Sequence, residues 1–272
     1  VTGLVLQDTA TYWSTFGQVV LVVLIQIGGL GFMTIATLFL MLLRRRLGLR
    51  QREVVVDSIS HYQLGGIVPF IRRIFLGTVL AEGLGAVLLS IRFVQDFGPA
   101  RGIYYGVWHA VSAFCNAGFD LMGAHSGPYS SFTAYAGDPL VVLTLCALIL
   151  VGGAGFLVWE DLSANKLRWR HYRLQTKIVL FVNLILVAGG FFLFLLLERG
   201  NLGTGKGLGQ QALEALFDAV TPRTAGFNTT DTAALSSGST LLTIILMIIG
   251  GSPGSTAGGV KTTTVAVIFL HT

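Results

Sequence analysis

Residues 114 to 120 read FCNAGFD and residues 221 to 228 read TPRTAGFN, and each places Ala-Gly-Phe after a short, mostly apolar segment. Their glycines, Gly118 and Gly226, lie 108 residues apart, and Gly3 in VTGL begins a third stretch of the same kind. A glycine allows positive φ, so a loop built on it can turn its carbonyl oxygens into an opening. Rings of carbonyls that replace hydration water are the basis of alkali-cation selectivity. The chemistry these residues suggest is coordination of a cation by backbone oxygen. No catalytic constellation accompanies it, and no enzyme is expected.

The elements that must hold such loops lie in lipid. The 272 residues are 53% apolar and 11% charged, with a mean hydropathy of +0.74, which is the composition of an integral membrane protein. Val19 to Leu43 is 25 residues without a charge, and Pro139 to Val158 and Ile178 to Leu197 are 20 each, long enough to cross about 30 Å of hydrocarbon. Phe70 to Ile91 is a fourth span, because Arg72 and Arg73 at its end can reach the interface. A fifth begins near Ser239 and is interrupted. Arg44, Arg45, Arg46, Arg50 and Arg52 crowd one connection and Lys166, Arg168, Arg170, Arg173 and Lys177 another; the positive-inside rule makes both cytoplasmic and the glycine loops external. The net charge of +5 therefore reads as topology. Without aromatic interleaving or a binding motif, nucleic acid is excluded. The two cysteines, Cys115 and Cys146, are too few for a metal site and do not suggest a disulfide framework. No initiator Met or signal peptide is visible at the start, and the chain is expected to be an internal piece of a longer protein.

Ile103 to Phe114 and Leu208 to Val220 are too short to span, and each ends at a glycine loop, as a helix that dips in and returns would. After each of the three loops come a polar stretch, an apolar helix and a Gly-Gly pair: Gly28-Gly29, Gly152-Gly153 and Gly250-Gly251. Such pairs are common in membrane helices because small residues let backbones approach. Their recurrence after all three loops, however, fits a repeat of helix, short re-entrant helix, glycine loop, helix. The expected division is 1–43 for the end of a first unit, 44–69 for a cytoplasmic connection, 70–158 for a second unit, 159–175 for another connection and 176–272 for a third. Re-entrant helices entering from outside point their partially negative C-terminal ends at the membrane centre, which favours a cation.

The Thr2-Gly3-Leu4, Asn116-Ala117-Gly118-Phe119 and Thr224-Ala225-Gly226-Phe227 loops, followed by GGSPGSTAGGVKTTT from Gly250, resemble the membrane subunit of the Trk/Ktr/HKT potassium-uptake superfamily over almost the whole chain. The resemblance implies an all-α polytopic membrane fold in which four repeats surround a pseudo-fourfold pore, the fourth repeat being absent from this sequence. It implies a potassium selectivity filter formed by Val1, Thr2 and Gly3, by Cys115, Asn116, Ala117 and Gly118, and by Arg223, Thr224, Ala225 and Gly226. A glycine in each repeat goes with potassium, whereas a serine in the first goes with sodium. It further implies a plasma membrane of the bacterial inner-membrane type, a homodimer, and a cytosolic nucleotide-binding regulatory subunit. Nucleotide enters only through that partner, no covalently bound cofactor is expected, and the transported ion is potassium, with sodium coupling and the choice between Trk and Ktr branches open.

Gly250, Gly251, Ser252, Pro253, Gly254, Ser255, Thr256, Ala257, Gly258 and Gly259 cannot continue a stable helix. Apolar residues on both sides place this break within the membrane, although a surface loop between two short helices would have the same pattern. The resemblance makes it an intramembrane gate loop beneath the filter, with Lys261 near its cytoplasmic end. Glu82, central in its helix, is a functional candidate or a structural anchor, and His109, Glu214 and Asp218 are candidates either to anchor the short helices or to bias the pore mouth negatively. Arg223, cationic within a filter loop, is expected to point away into a structural contact. Gly200 to Gly207 nearly spells a phosphate-binding loop but lacks the final hydroxyl residue and a preceding strand. Asn228-Thr229-Thr230 is a chance glycosylation match. The competing functions are a secondary transporter of another solute and a non-transporting membrane scaffold.

Overall fold

Lipid offers the peptide group no water, so a spanning backbone must satisfy its own hydrogen bonds. The computed structural model describes residues 3–31, 67–166, 168–201 and 205–271, and among these there is no β-strand, only one bridge between Ile249 and Val260. The principal helices are α1 (Thr15–Leu30), α2 (Ile67–Phe97), α3 (Pro99–Phe114), α4 (Pro139–Ala154), α5 (Phe156–Asn165), α6 (Leu174–Leu197), α7 (Leu208–Val220), α8 (Ser237–Ile248) and α9 (Thr262–His271). Of these, α2 from Pro69 onward and α6 are each long and apolar enough to cross a bilayer. Leu76, Leu80 and Leu84 on α2 and Phe181, Leu184 and Phe192 on α6 are exposed, the faces a membrane protein turns to lipid.

The expected 20-residue span Pro139–Val158 is not one straight helix. It breaks after Ala154, and α4 and α5 meet at 94°. Gly155 at the break takes φ +94°, and Phe156 N–H donates to Gly254 O at 2.8 Å instead of continuing the helical ladder. A Cβ on Gly155 would stand 2.6 Å from Pro253 O. The glycine-rich segment that follows α8 thus makes the bend, and hydropathy could not register it. The expected Val19–Leu43 span is described only to Gly31. The arginines from 44 to 52 lie outside the described residues, as do Val1, Thr2 and part of the Gly200–Gly207 stretch.

Helix α3 begins four residues before the expected Ile103, because Gly98 (φ +76°) turns the chain and Pro99 opens the new helix. It folds back along α2 in an unusually close pairing. A Cβ on Gly102 would meet the Val94 backbone at 2.5 Å, and one on Gly106 would meet Ser90 Oγ at 2.1 Å and Ala86 O at 2.8 Å. Glycines four apart let two membrane helices touch backbone to backbone. Against this hairpin the core gathers Phe93, Phe114, Phe132, Leu145, Phe217 and Phe227. Helix α7 packs on α6 as α3 packs on α2.

Candidate functional site

The three glycine loops come together. Gly3, Gly118 and Gly226 all take positive φ, +72°, +71° and +92°. A Cβ on Gly3 would lie 2.8 Å from Gly118 O and 2.9 Å from Gly226 O, and one on Gly118 would lie 2.0 Å from Ala225 O. Gly3 N–H donates to Ala117 O at 2.7 Å. Only glycine fits at this meeting point, for space and for backbone conformation alike.

The second and third loops are built alike. Two residues before its glycine each has a non-glycine residue at positive φ, Asn116 (+50°) and Thr224 (+70°). Asn tolerates this conformation, whereas for β-branched Thr it stores strain of about 1–3 kcal/mol. A hydroxyl near the end of the preceding short helix braces each loop: Ser112 Oγ donates to Phe119 O and Thr221 Oγ1 donates to Phe227 O, both at 2.6 Å. Neither hydroxyl was singled out in the sequence, although each stands five or six residues before its glycine. The C-terminal ends of α3 and α7 run into these loops, so their dipoles place partial negative charge there.

The remaining candidates stand behind the loops. His109, fully buried, accepts the Leu121 N–H at Nε2 (2.9 Å), and its Nδ1 lies 2.7 Å from Tyr105 O. The two contacts require Nδ1 to carry the proton, so the neutral ring anchors the chain just beyond the second loop. Asp218 accepts the Thr230 hydroxyl at 2.9 Å, and Glu214 receives Lys206 Nζ on both oxygens at 2.8 and 2.7 Å. Neither carboxylate lines the cavity beside the three glycines. Arg223 is buried at 5% exposure and donates through Nη2 to Asn183 Oδ1 on α6, while its Nε and Nη1 are buried without a partner. Cys115 caps α3 and lies with Glu82 and Gln26 on the loop's far side.

Beneath the loops sits the glycine-rich break between α8 and α9. Gly250, Gly251, Ser252 and Ala257 are buried, which disagrees with the surface-loop alternative. Ser252 N–H donates to Gly153 O (3.0 Å) and Thr256 N–H to Gly152 O (3.3 Å), so the segment docks on the Gly-Gly pair of α4. Thr256 Oγ1 donates to Phe114 O at 2.9 Å and accepts from Asn116 Nδ2 at 3.2 Å, while Gly258 N–H donates to Thr224 Oγ1 at 3.1 Å. The break is therefore bonded to the positive-φ residue that stands two before the glycine in each of those two loops. Lys261 Nζ reaches back to Ala257 O at 2.8 Å, and Thr262 Oγ1 donates to Ser252 Oγ at 3.2 Å. Pro253 and Gly254 present carbonyls to the α4–α5 bend, Gly259 turns the chain at φ +71°, and Ser255 Oγ is buried without a partner.

The Gly-Gly pairs also acquire a physical reason. A Cβ on Gly29 would stand 2.4 Å from Cys115 Sγ, and one on Gly152 would stand 1.9 Å from Phe114 O. The C-terminal end of α3 is clamped between α1 and α4, and the pairs are where the clamp closes.

On the other side of the glycines lies a cavity of about 170 Å³ lined by Gly3, Gly118, Gly226, Asn228, Asp8 and Asp120. Asp8 accepts the Tyr129 N–H at 3.1 Å and caps the turn Thr9–Tyr12 through Thr11 N–H at 2.9 Å. Burial pushes the Asp120 carboxyl up to about 6, against bonds from Met122 N–H and Ser131 that lower it, with nearby Asp8 adding to the rise. Asp8 and Asp120 were not recognised in the sequence. Asp120 follows the second glycine by two residues, but nothing local says that a residue from the first loop's end will face it.

Comparison with known proteins places this geometry in a family. A family model described as "Cation transport protein", TrkH, matches residues 1–272. The potassium/sodium uptake protein NtpJ of Enterococcus hirae is 40% identical over 272 residues, covering 100% of this chain and 59% of that protein. The Ktr system potassium uptake protein B of Bacillus subtilis is 40% identical, covering 98% of this chain and 59% of that one. The chain thus spans well under two thirds of the length of these relatives. The crystal structure of the potassium transporter TrkH from Vibrio parahaemolyticus superposes with a TM-score of 0.69 at 20% identity, over 99% of this chain and 51% of that one, a likeness of fold. With its full length matched and its glycine loops convergent, the chain belongs to the TrkH family of cation transport proteins.

Proposed function

We propose that this chain forms much of the ion path of a potassium-uptake protein, with Gly3, Gly118 and Gly226 in a carbonyl-lined selectivity filter. The observation that carries the reading is the meeting of three positive-φ glycines, two of them just beyond short helices, α3 and α7, whose dipoles favour a cation. The names of the relatives, potassium and potassium/sodium uptake proteins, support the same ion class. Val1 and Thr2 would complete the first loop, and a fourth repeat would supply a fourth. The repeats are those expected from sequence, with boundaries at 1–43, 70–158 and 176–272. The segment 250–259 with Lys261 is the gate, lying against the second and third loops from the side opposite the cavity. We place the glycine loops outside, the basic connections in the cytoplasm of a cell with this protein in its plasma membrane, and a homodimer on a cytosolic nucleotide-binding subunit. Sodium coupling belongs to this reading as a property of the whole protein.

The test is ion flux through the full-length protein in liposomes, with growth of a potassium-uptake-deficient cell at low potassium as its counterpart. Potassium flux and restored growth are expected, and their absence overturns the reading. Gly118→Ser separates this reading from a secondary transporter of another solute. A side chain at φ +71° and 2.0 Å from Ala225 O displaces filter carbonyls, so the potassium-to-sodium flux ratio is expected to fall. Unaltered ion preference in that variant would favour the rival.

A further inference from the structure

The second filter loop is held from behind by a polar contact that ordinary membrane packing does not require. Cys115 is the first residue beyond α3, and its Sγ lies 3.9 Å from Glu82 Oε1 on α2 and 4.0 Å from Gln26 Oε1 on α1. The Gln26 side chain stands beside the Glu82 carboxyl, with the Cys115 sulfur in reach of both. Three elements thus meet at the residue from which the filter loop departs. Glu82 is 9% exposed and Cys115 5% exposed. On the same face of α2, one turn away, Thr78 is fully buried with a hydroxyl that has no partner. Gly29 presses on Cys115 so closely that a Cβ there would be 2.4 Å from its sulfur. The sulfur therefore has little room on the α1 side, and its polar contacts are to Glu82 and Gln26.

An ionisable side chain at membrane depth is costly, and a leucine would fill the same space. What a carboxyl adds is two acceptor oxygens fixed on a helix, able to hold donors from two other elements. The backbone of Cys115 sets the direction in which Asn116, Ala117 and Gly118 leave α3, and so where their carbonyls stand. Whether a filter selects by cavity size or by the number and field of its carbonyls, those oxygens need a supporting shell that keeps them in place.

We infer that Glu82 is a positioning residue for ion selectivity: through Cys115 and Gln26 it fixes the second filter loop. This rests on the filter reading above. The test uses the full-length protein in liposomes, with potassium and sodium fluxes measured for the wild type, Glu82→Ala, Glu82→Gln and Gly118→Ser. Loss of a buried hydrogen bond to such a group is expected to lower the potassium-to-sodium ratio about tenfold in Glu82→Ala. Glu82→Gln, which keeps the shape and one acceptor, is expected to stay within about twofold of wild type. If Glu82→Ala does not fold, Gln26→Ala carries the test, with a smaller fall in the same direction expected. An unchanged ratio in the folded variant, or an equal loss in Glu82→Gln and Glu82→Ala, overturns the inference. A wild type without potassium preference, or a Gly118→Ser variant with an unchanged ratio, counts instead against the filter itself. A ratio that collapses in Gly118→Ser and survives Glu82→Ala counts against Glu82 alone.

Discussion

At the residue scale, Asp120 carries a charge that depends on pH in the working range. Its pKa is raised to about 6, chiefly by burial, so the carboxylate is charged above that pH and neutral below it. The folded state binds this proton more tightly than the unfolded chain, so the charged form opposes folding above pH 6 and the penalty fades as pH falls. For a cation approaching the cavity beside Gly118, the sign is reversed: attraction is present above pH 6 and lost below it. With the proposed function and orientation, the half-saturating potassium concentration for uptake is expected to rise about threefold as external pH falls through 6. Asp120→Asn is expected to hold the high value at every pH, and an identical pH profile in that variant would refute the assignment. His109 is a simpler case. Replacing it by Ala leaves the Leu121 N–H unpaired and a hole beside Phe93 and Phe132. A stability loss of about 2–4 kcal/mol is expected in thermal unfolding of the solubilised protein.

At the element scale, the hairpin of α2 and α3 depends on two missing side chains. A methyl on Gly106 would intrude on Ser90 Oγ at 2.1 Å and on Ala86 O at 2.8 Å. Gly106→Ala is therefore expected to destabilise by about 1–3 kcal/mol, through backbone shift and overpacking, as read by thermal unfolding. Because α3 delivers the second glycine loop, the proposed filter role predicts that ion flux falls with it. At the Gly98 end of the hairpin, Arg92 binds Asp138 at 2.6 Å and Asp96 at 2.8 Å, and Asp138 also caps α4 through Leu140 and Val141 N–H. The partly exposed ion pairs contribute little. The cap accounts for most of what Asp138→Ala would lose, about 1 kcal/mol.

At the scale of the whole molecule, the glycine loops and the break are bonded to each other. Thr224 accepts Gly258 N–H, and Thr256 joins Asn116 to Phe114 O. In the proposed gating role the segment must give up these bonds to move away, each worth about 1 kcal/mol net. Thr256→Val removes two of them with little change of volume. Uptake is expected to be several-fold faster than wild type without any regulatory subunit, with the potassium-to-sodium ratio retained. Slower uptake in a folded Thr256→Val protein would argue that the segment supports the path instead of closing it.

Much of this protein was legible along the chain because the signals are local. The length of an apolar run decides whether it can cross lipid, so Ile178–Leu197 was found within α6 and Leu208–Val220 coincides with α7. A glycine's tolerance of positive φ is a property of one residue, so Gly3, Gly118 and Gly226 could be picked out by composition and spacing. Gly102 and Gly106 were equally visible as a pair of small residues, but the helix they press on was not. The rest was decided by atoms brought together from far apart. The bend at Gly155 depends on a bond from Phe156 to Gly254, the burial of Gly250–Ser252 on docking against Gly152 and Gly153, and the neighbours of Glu82 on a glutamine and a cysteine from two other helices. Glycine-rich backbone can remain helical, turn or break at similar local cost, and the hydrogen bonds offered by distant segments choose among these in the folded protein.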